Sequence, residues 1–267
     1  MATSLWTKEQ LKLAFHLYCQ LPFGKLHSRN KEIIQLASLI KRTPSAVAMK
    51  LVNLASLDPA ITSSGRSGLG NASALDREVW NEFHADWEGL AIECERLREK
   101  LGAAIPRAVL QESDDANLLG LKDYSGNTRR VVIEQRIKQH FFRRAVLSSY
   151  RQRCCMSGLS DSRLLIASHI VPWSKDKSNR LNPSNGLCLS AIHDRAFDKG
   201  LITLNDDFQV VLAEELRACN EDFVKSVFHP LDGKKIEMPE RFVPDRAFVV
   251  RHRKSCFVDN KETQKSQ

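Results

Sequence analysis

One stretch of this sequence, Leu164 to Gly200, leaves the chain few ways to fold. A short apolar strand, Leu164-Leu165-Ile166-Ala167, ends at Ser168-His169-Ile170. Pro172 and Trp173 follow, then a polar loop from Ser174 to Ser184, closed by the turn-forming pairs Asn182-Pro183 and Asn185-Gly186. Leu187-Cys188-Leu189 reads as a second strand. It runs straight into a helix that opens near His193, carries Phe197 and Asp198, and stops at Gly200. Strand, loop, strand and helix thus follow in order, with His169, Asn185 and His193 at the junctions.

Those residue types suit phosphodiester hydrolysis, which needs a base to activate water, a cation to hold the developing charge, and fixed geometry between them. Imidazole titrates near neutrality, and a strand end is rigid enough to aim it, so His169 suits the base. The wider pattern runs through Arg143, Tyr150, Cys155, Gly158, Ala167-Ser168-His169-Ile170, Pro172-Trp173, Asn182, Asn185-Gly186-Leu187, His193 and Phe197-Asp198. It resembles the HNH nucleases, in the branch found in bacterial restriction-type endonucleases, over about residues 129–258.

The resemblance implies a ββα-metal finger in which His169 is the general base, His193 binds a divalent metal, and Asn185 braces the loop and orients the base. It also implies attack by water assisted by one ion, Mg²⁺ or Mn²⁺, with 5′-phosphate and 3′-hydroxyl products. One position departs from the pattern. Many HNH nucleases place Asp or His immediately before the base as a second metal ligand, and here Ser168 stands there. A serine hydroxyl is a poor ligand for Mg²⁺, which prefers carboxylate and water oxygens. Asp198, about one turn past His193, either completes the metal sphere or makes a helix-end hydrogen bond. Many HNH proteins also carry two C-x-x-C pairs around a structural zinc. Here Cys155-Met156-Ser157-Gly158 and Cys188-Leu189-Ser190-Ala191 keep one cysteine each. Two thiolates do not satisfy tetrahedral zinc, so no structural zinc is expected and the finger must be held by packing.

The N-terminal part reads as helical. Thr7 and Gln10 form a capping box ahead of an apolar stripe through Leu11, Ala14, Leu17 and Tyr18. A second helix spans about Lys31 to Ile40, and Thr43-Pro44 opens a third that runs to about Ser56. Two short helices joined by a tight turn form a helix-turn-helix-like pattern. If the third helix entered a DNA groove, Ser45, Met49, Lys50 and Asn53 would meet it. An ordinary three-helix bundle fits the same residues. After a Gly- and Ser-rich loop, Ser73 and Asp76 open a long helix expected to reach Leu101, with Trp80, Phe83, Trp87 and Leu90 recurring at helical spacing.

Charge points to a polyanion. Forty Lys and Arg against 32 Asp and Glu give +8. From Arg129 to Arg153 eight basic residues face one acid, Glu134, so +7 sits in that segment. Arg136, Lys138, Arg143 and Arg144 are its expected nucleic-acid contacts, with the two arginines suited to phosphate. A solvated helix face is the alternative. No apolar run approaches the roughly 20 residues of a membrane helix, and no signal-peptide pattern opens the chain, so a cytoplasmic location is expected. The seven cysteines, odd in number and dispersed, do not suggest a disulfide scaffold.

The sequence therefore predicts an α+β chain with a helical, helix-turn-helix-like domain at 1–102, a linker at 103–127, a ββα-metal HNH nuclease domain at 128–258 and a disordered tail at 259–267. The expected activity is that of a metal-dependent DNA endonuclease of the restriction or phage-defence kind. A DNA-binding regulator with an inactive HNH fold, favoured by Ser168, and an RNA-directed nuclease stay open. Each such site cuts one strand, so a double-strand break needs two events or a homodimer. The aromatic stripe at Trp80 and Trp87 would serve as its interface or as intramolecular core.

Overall fold

The computed structural model describes residues 5–63, 65, 70–103 and 127–259, with side chains from 131 onward in the last stretch. The expected linker and tail lie outside these residues, save for Ala103, Asn127 and Asp259. The chain divides into two compact units, Met1–Ala145 and Val146–Gln267.

In the first unit, α1 (Lys8–Gln20) starts at the Thr7–Gln10 capping box and buries Leu11, Ala14, Phe15 and Tyr18. Asn30 caps α2 (Lys31–Leu39) through its side-chain oxygen, and Thr43 caps α3 (Pro44–Ala55), with Pro44 in the first turn. A short helix, α4 (Pro59–Ser63), precedes α5 (Ala74–Ala85), which opens on a Ser73–Asp76 capping box. The single long helix expected from Ser73 to Leu101 is two. Asp86 leaves helical geometry at φ −148° and ψ 80°, and its carboxylate accepts from the Gly89 amide at 2.8 Å to start α6 (Trp87–Lys100). The aromatic stripe is intramolecular core. Phe15 of α1 meets Phe83 at 4.6 Å and Trp80 at 5.1 Å between ring centres, and Trp87 is buried beside them.

The helix α7 (Asn127–Ser149) buries Ile137, Phe141, Ala145 and Val146, the face its periodicity predicts. The division between units falls inside α7, not at the expected 127/128. Phe141 stacks on His16 at 5.0 Å, Lys138 pairs with Glu88 at 2.6 Å and Arg144 with Glu32 at 2.6 Å, which ties that part of the helix to the first unit.

The second unit contains the predicted finger. Strands β1 (Leu165–His169) and β2 (Gly186–Ser190) pair antiparallel, with Leu165 opposite Ser190 and His169 opposite Gly186. Ser190 caps α8 (Ala191–Asp198). Gly200 ends it at φ +74°, where a Cβ would also collide with the Cys256 carbonyl, so glycine is required twice over. The expected hairpin follows as β3 (Ile202–Leu204) and β4 (Val210–Leu212), its turn held by the Asn205 side chain accepting from the Asp207 and Gln209 amides. Two short helices, α9 (Glu214–Ala218) and α10 (Asp222–Val227), lead to α11 (Arg246–Ser255). His252 of α11 stacks on Phe197 at 3.7 Å, donates from Nε2 to the Phe197 carbonyl and accepts from the Thr203 hydroxyl. Helices with two small antiparallel sheets make the chain α+β. No helix among the described residues is long and apolar enough to cross a membrane.

Candidate active site

His169 is the last residue of β1, and the pairing with β2 fixes its backbone. Its Nε2 lies 2.9 Å from the Arg180 carbonyl. A carbonyl only accepts, so Nε2 carries the proton and Nδ1 is the basic nitrogen. Trp173 meets the ring edge-on at 5.5 Å. Burial lowers the imidazole to about 4, against the opposing pull of the Arg180 carbonyl. The ring is therefore neutral near pH 7, the state a proton acceptor needs.

Asn185 holds the loop that carries Arg180. It is 0% exposed; its oxygen accepts from the Val171 amide at 2.8 Å, and its nitrogen donates to the Val171 and Asn179 carbonyls at 3.2 Å each. One side chain thus satisfies three backbone groups on both limbs of the loop, two of them buried.

His193 sits in the first turn of α8 and is 3% exposed. Its Nδ1 is 2.9 Å from the Ser190 hydroxyl and 3.5 Å from the Cys154 sulfur. Burial pushes the Cys154 thiol up, but hydrogen bonds from His193, Ser157 and the local backbone outweigh it and bring it to about 6. A thiolate there accepts a hydrogen bond from Nδ1–H, the tautomer that leaves the Nε2 lone pair for a cation. That Nε2 is buried with no hydrogen-bond partner. Cys155 and Cys188 behave as core residues, joined through the Cys155 amide and the Cys188 carbonyl at 2.8 Å.

Ser168 is buried on β1. Its hydroxyl makes no hydrogen bond of standard geometry, yet it faces the Asp194 carboxyl closely enough to draw its titration down. Asp194 was absent from the predicted set. Burial raises it to about 6; Asp198 adds to the rise, while Ser168 and Arg195 oppose it. Asp198, one turn on, is raised by burial against the pull of Arg195 and Lys199. The signal was in the sequence, since Asp194 and Asp198 are four apart and share a helix face.

Among the described residues no three His, Cys, Asp or Glu side chains converge on a metal position. The site therefore does not offer a closed protein cage. It does fit a hard divalent ion that keeps most of its water, because a buried imidazole nitrogen lacks a partner and two carboxyls with raised pKa stand on the same helix.

The predicted DNA contacts fare differently. Ser45 is exposed and Met49 is 57% exposed on α3, but Lys50 and Asn53 are not on that open face, as each is 9% exposed. Lys50 lies 3.0 Å from both oxygens of the fully buried Asp76 and beneath the Trp6 ring. An ion pair buried this way is core, not a groove contact. In the basic segment, Lys138 and Arg144 are held by Glu88 and Glu32, and Arg151 pairs with Glu237. Arg136 and Arg143 are half-buried, and the side chains of 129 and 130 lie outside the described residues.

Residues 154–205 match the family model for HNH endonuclease. That stretch belongs to the HNH endonuclease family. Comparison with curated proteins returned no match. The matched HNH segment contains Cys154, Ser168, His169, Asn185, His193, Asp194 and Asp198, so every group of the finger described above falls within it.

Proposed function

We propose that the chain is a metal-dependent endonuclease that hydrolyses phosphodiester bonds in DNA, in a restriction or phage-defence role. The observation that carries this is the state of His169, neutral, held in one tautomer by the Arg180 carbonyl and set at the rigid end of β1. In that state Nδ1 takes a proton from water as the water oxygen bonds to phosphorus. The bond from phosphorus to the 3′ oxygen breaks, and that oxygen leaves with a proton from solvent. The products carry 5′-phosphate and 3′-hydroxyl ends. A bound Mg²⁺ or Mn²⁺, with His193 and Asp194 as first candidates to hold it and Ser168 and Asp198 beside them, supplies neutralisation of the developing charge. Asn185 keeps the loop closed, so that His169 stays aimed.

A second reading, a DNA-binding regulator with a silent HNH fold, is favoured by Ser168, which provides a hydroxyl where a stronger ligand would serve. Plasmid DNA incubated with the protein and Mg²⁺ or Mn²⁺ separates the two. The wild-type chain is expected to nick it, chelation to stop it, and His169→Ala to slow it by about 10²–10⁴-fold, the range for loss of a general base. Nicking that survives in His169→Ala defeats the mechanism. Silence toward methylated, unmethylated and single-stranded DNA, and toward RNA, favours the regulator.

A further inference from the structure

The loop between β1 and β2 contains an arginine that neither the sequence pattern nor the mechanism above has used except for its backbone. Arg180 gives its carbonyl to His169, and its side chain then turns back over the same loop. Nε donates to the Trp173 carbonyl at 2.8 Å, and the guanidinium carbon lies 5.2 Å from the centre of the Trp173 ring. Trp173 in turn abuts His169. The guanidinium, the indole and the imidazole of the base therefore form one contiguous group.

Several arginines around the finger already hold a carboxylate. Arg163 pairs with Asp161, Arg151 with Glu237 and Arg253 with Asp206. Asp176, an acid of the same loop, takes Arg251 at 2.9 Å and accepts from Asn179. Among the described residues no carboxylate stands within ion-pair distance of Arg180, and its two terminal nitrogens donate to nothing. A half-buried guanidinium held rigid by one hydrogen bond and a stacked ring, with its bidentate edge unspent, is preorganised for an anion. A phosphate diester is the anion whose geometry that planar edge matches, and Trp173 is the ring that links that edge to His169.

We propose that Arg180 grips the scissile phosphate of the nucleic acid, its terminal nitrogens donating to the two non-bridging oxygens while its carbonyl orients His169. The substrate in this inference rests on the nuclease reading above. One residue then couples two requirements, since the loop that aims the base is the loop that places the phosphate. Substituting the side chain removes the grip and leaves the carbonyl in place.

The test uses the full chain. In a His169→Ala background without divalent metal, where hydrolysis is slow enough to measure binding, the affinity for a fluorescent DNA duplex is measured across a salt series with and without Arg180→Ala. The expected result is an affinity about tenfold lower and a salt slope reduced by about one. Unchanged affinity and slope overturn the proposal, whether or not the wild type cleaves. In the His169 protein, Arg180→Ala is expected to lower kcat by about 10²–10³-fold with the pH profile unmoved, and added guanidinium ion to restore part of the rate. A rate within twofold of wild type, or a loss that guanidinium leaves untouched, overturns it as well. Arg180→Lys covers the case in which the alanine variant unfolds. It retains the charge, so the salt slope stays at the wild-type value while kcat falls about tenfold for want of the planar fork; a lysine variant that loses the slope sinks the idea. Failure of the wild type to cleave anything counts against the nuclease reading alone.

Discussion

Asn185 illustrates how much one side chain decides in this protein. A carboxamide carries an acceptor and two donors, and all three are used on backbone groups that have no ladder partner. Asn185→Ala strands the buried Val171 amide and carbonyl, each at a cost of about 1–3 kcal/mol, and returns the part-buried Asn179 carbonyl to water. The expected loss is about 2–4 kcal/mol of unfolding free energy, read from the urea midpoint, together with most of the activity. Asn185→Asp is expected to be no better, since a carboxylate cannot donate to the Val171 and Asn179 carbonyls. The positions of His169, Asn185 and His193 were legible because short strands and a capped helix place them by local rules. Lys50 and Asn53 were misread because the partner that turns Lys50 inward, Asp76, lies on α5, and no periodicity within α3 records it. Cys154 is a third residue of this kind, since its contact with His193 joins positions far apart in the chain that no local pattern links.

At the level of elements, the caps are what the sequence displays best. Thr7, Thr43 and Ser73 each accept from the amides they were placed to satisfy, and the helices they open start where expected. The break between α5 and α6 was hidden because Trp80, Phe83, Trp87 and Leu90 keep helical spacing across it while the chain turns at Asp86. Gly200 shows the same contrast. Its role in stopping α8 was readable, but its contact with the C-terminal end of α11 was not, since Cys256 is distant in sequence. Gly200→Ala combines a left-handed backbone with a clash against backbone, so a loss of about 2–4 kcal/mol is expected, more than the roughly 1 kcal/mol of an ordinary helix-end glycine. A thermal melt checks it; a melting temperature equal to wild type would show that α11 moves aside freely.

For the molecule as a whole, charge counted along the chain differs from charge counted in space. The +7 segment meets Glu32 and Glu88 in the first unit, so its cations are shared with acids that the linear count assigns elsewhere. The same neighbourhood sets the acid limit of the first unit. Burial holds His16 down at about 3, helped by Arg98, Arg144 and His140, while Glu95 and Glu32 line the same cavity. An unfolded chain takes up this proton near 6.5 and the folded one refuses it, so stability is lost as pH falls from about 6.5 toward 3 and is unaffected above. Between pH 7 and pH 5 the expected loss is about 2 kcal/mol, which His16→Phe should abolish while retaining the stack on Phe141. Urea titrations at the two pH values measure it, and a variant with the wild-type pH dependence would assign the acid sensitivity to other groups. The last described helix carries a different consequence. Arg251 anchors the β1–β2 loop through Asp176, and His252 buttresses α8 through Phe197, yet both belong to α11. During synthesis the residues that would cut emerge from the ribosome well before the residues that brace them. A nascent chain therefore holds the β1–β2 finger loosely until Arg246–Ser255 is made.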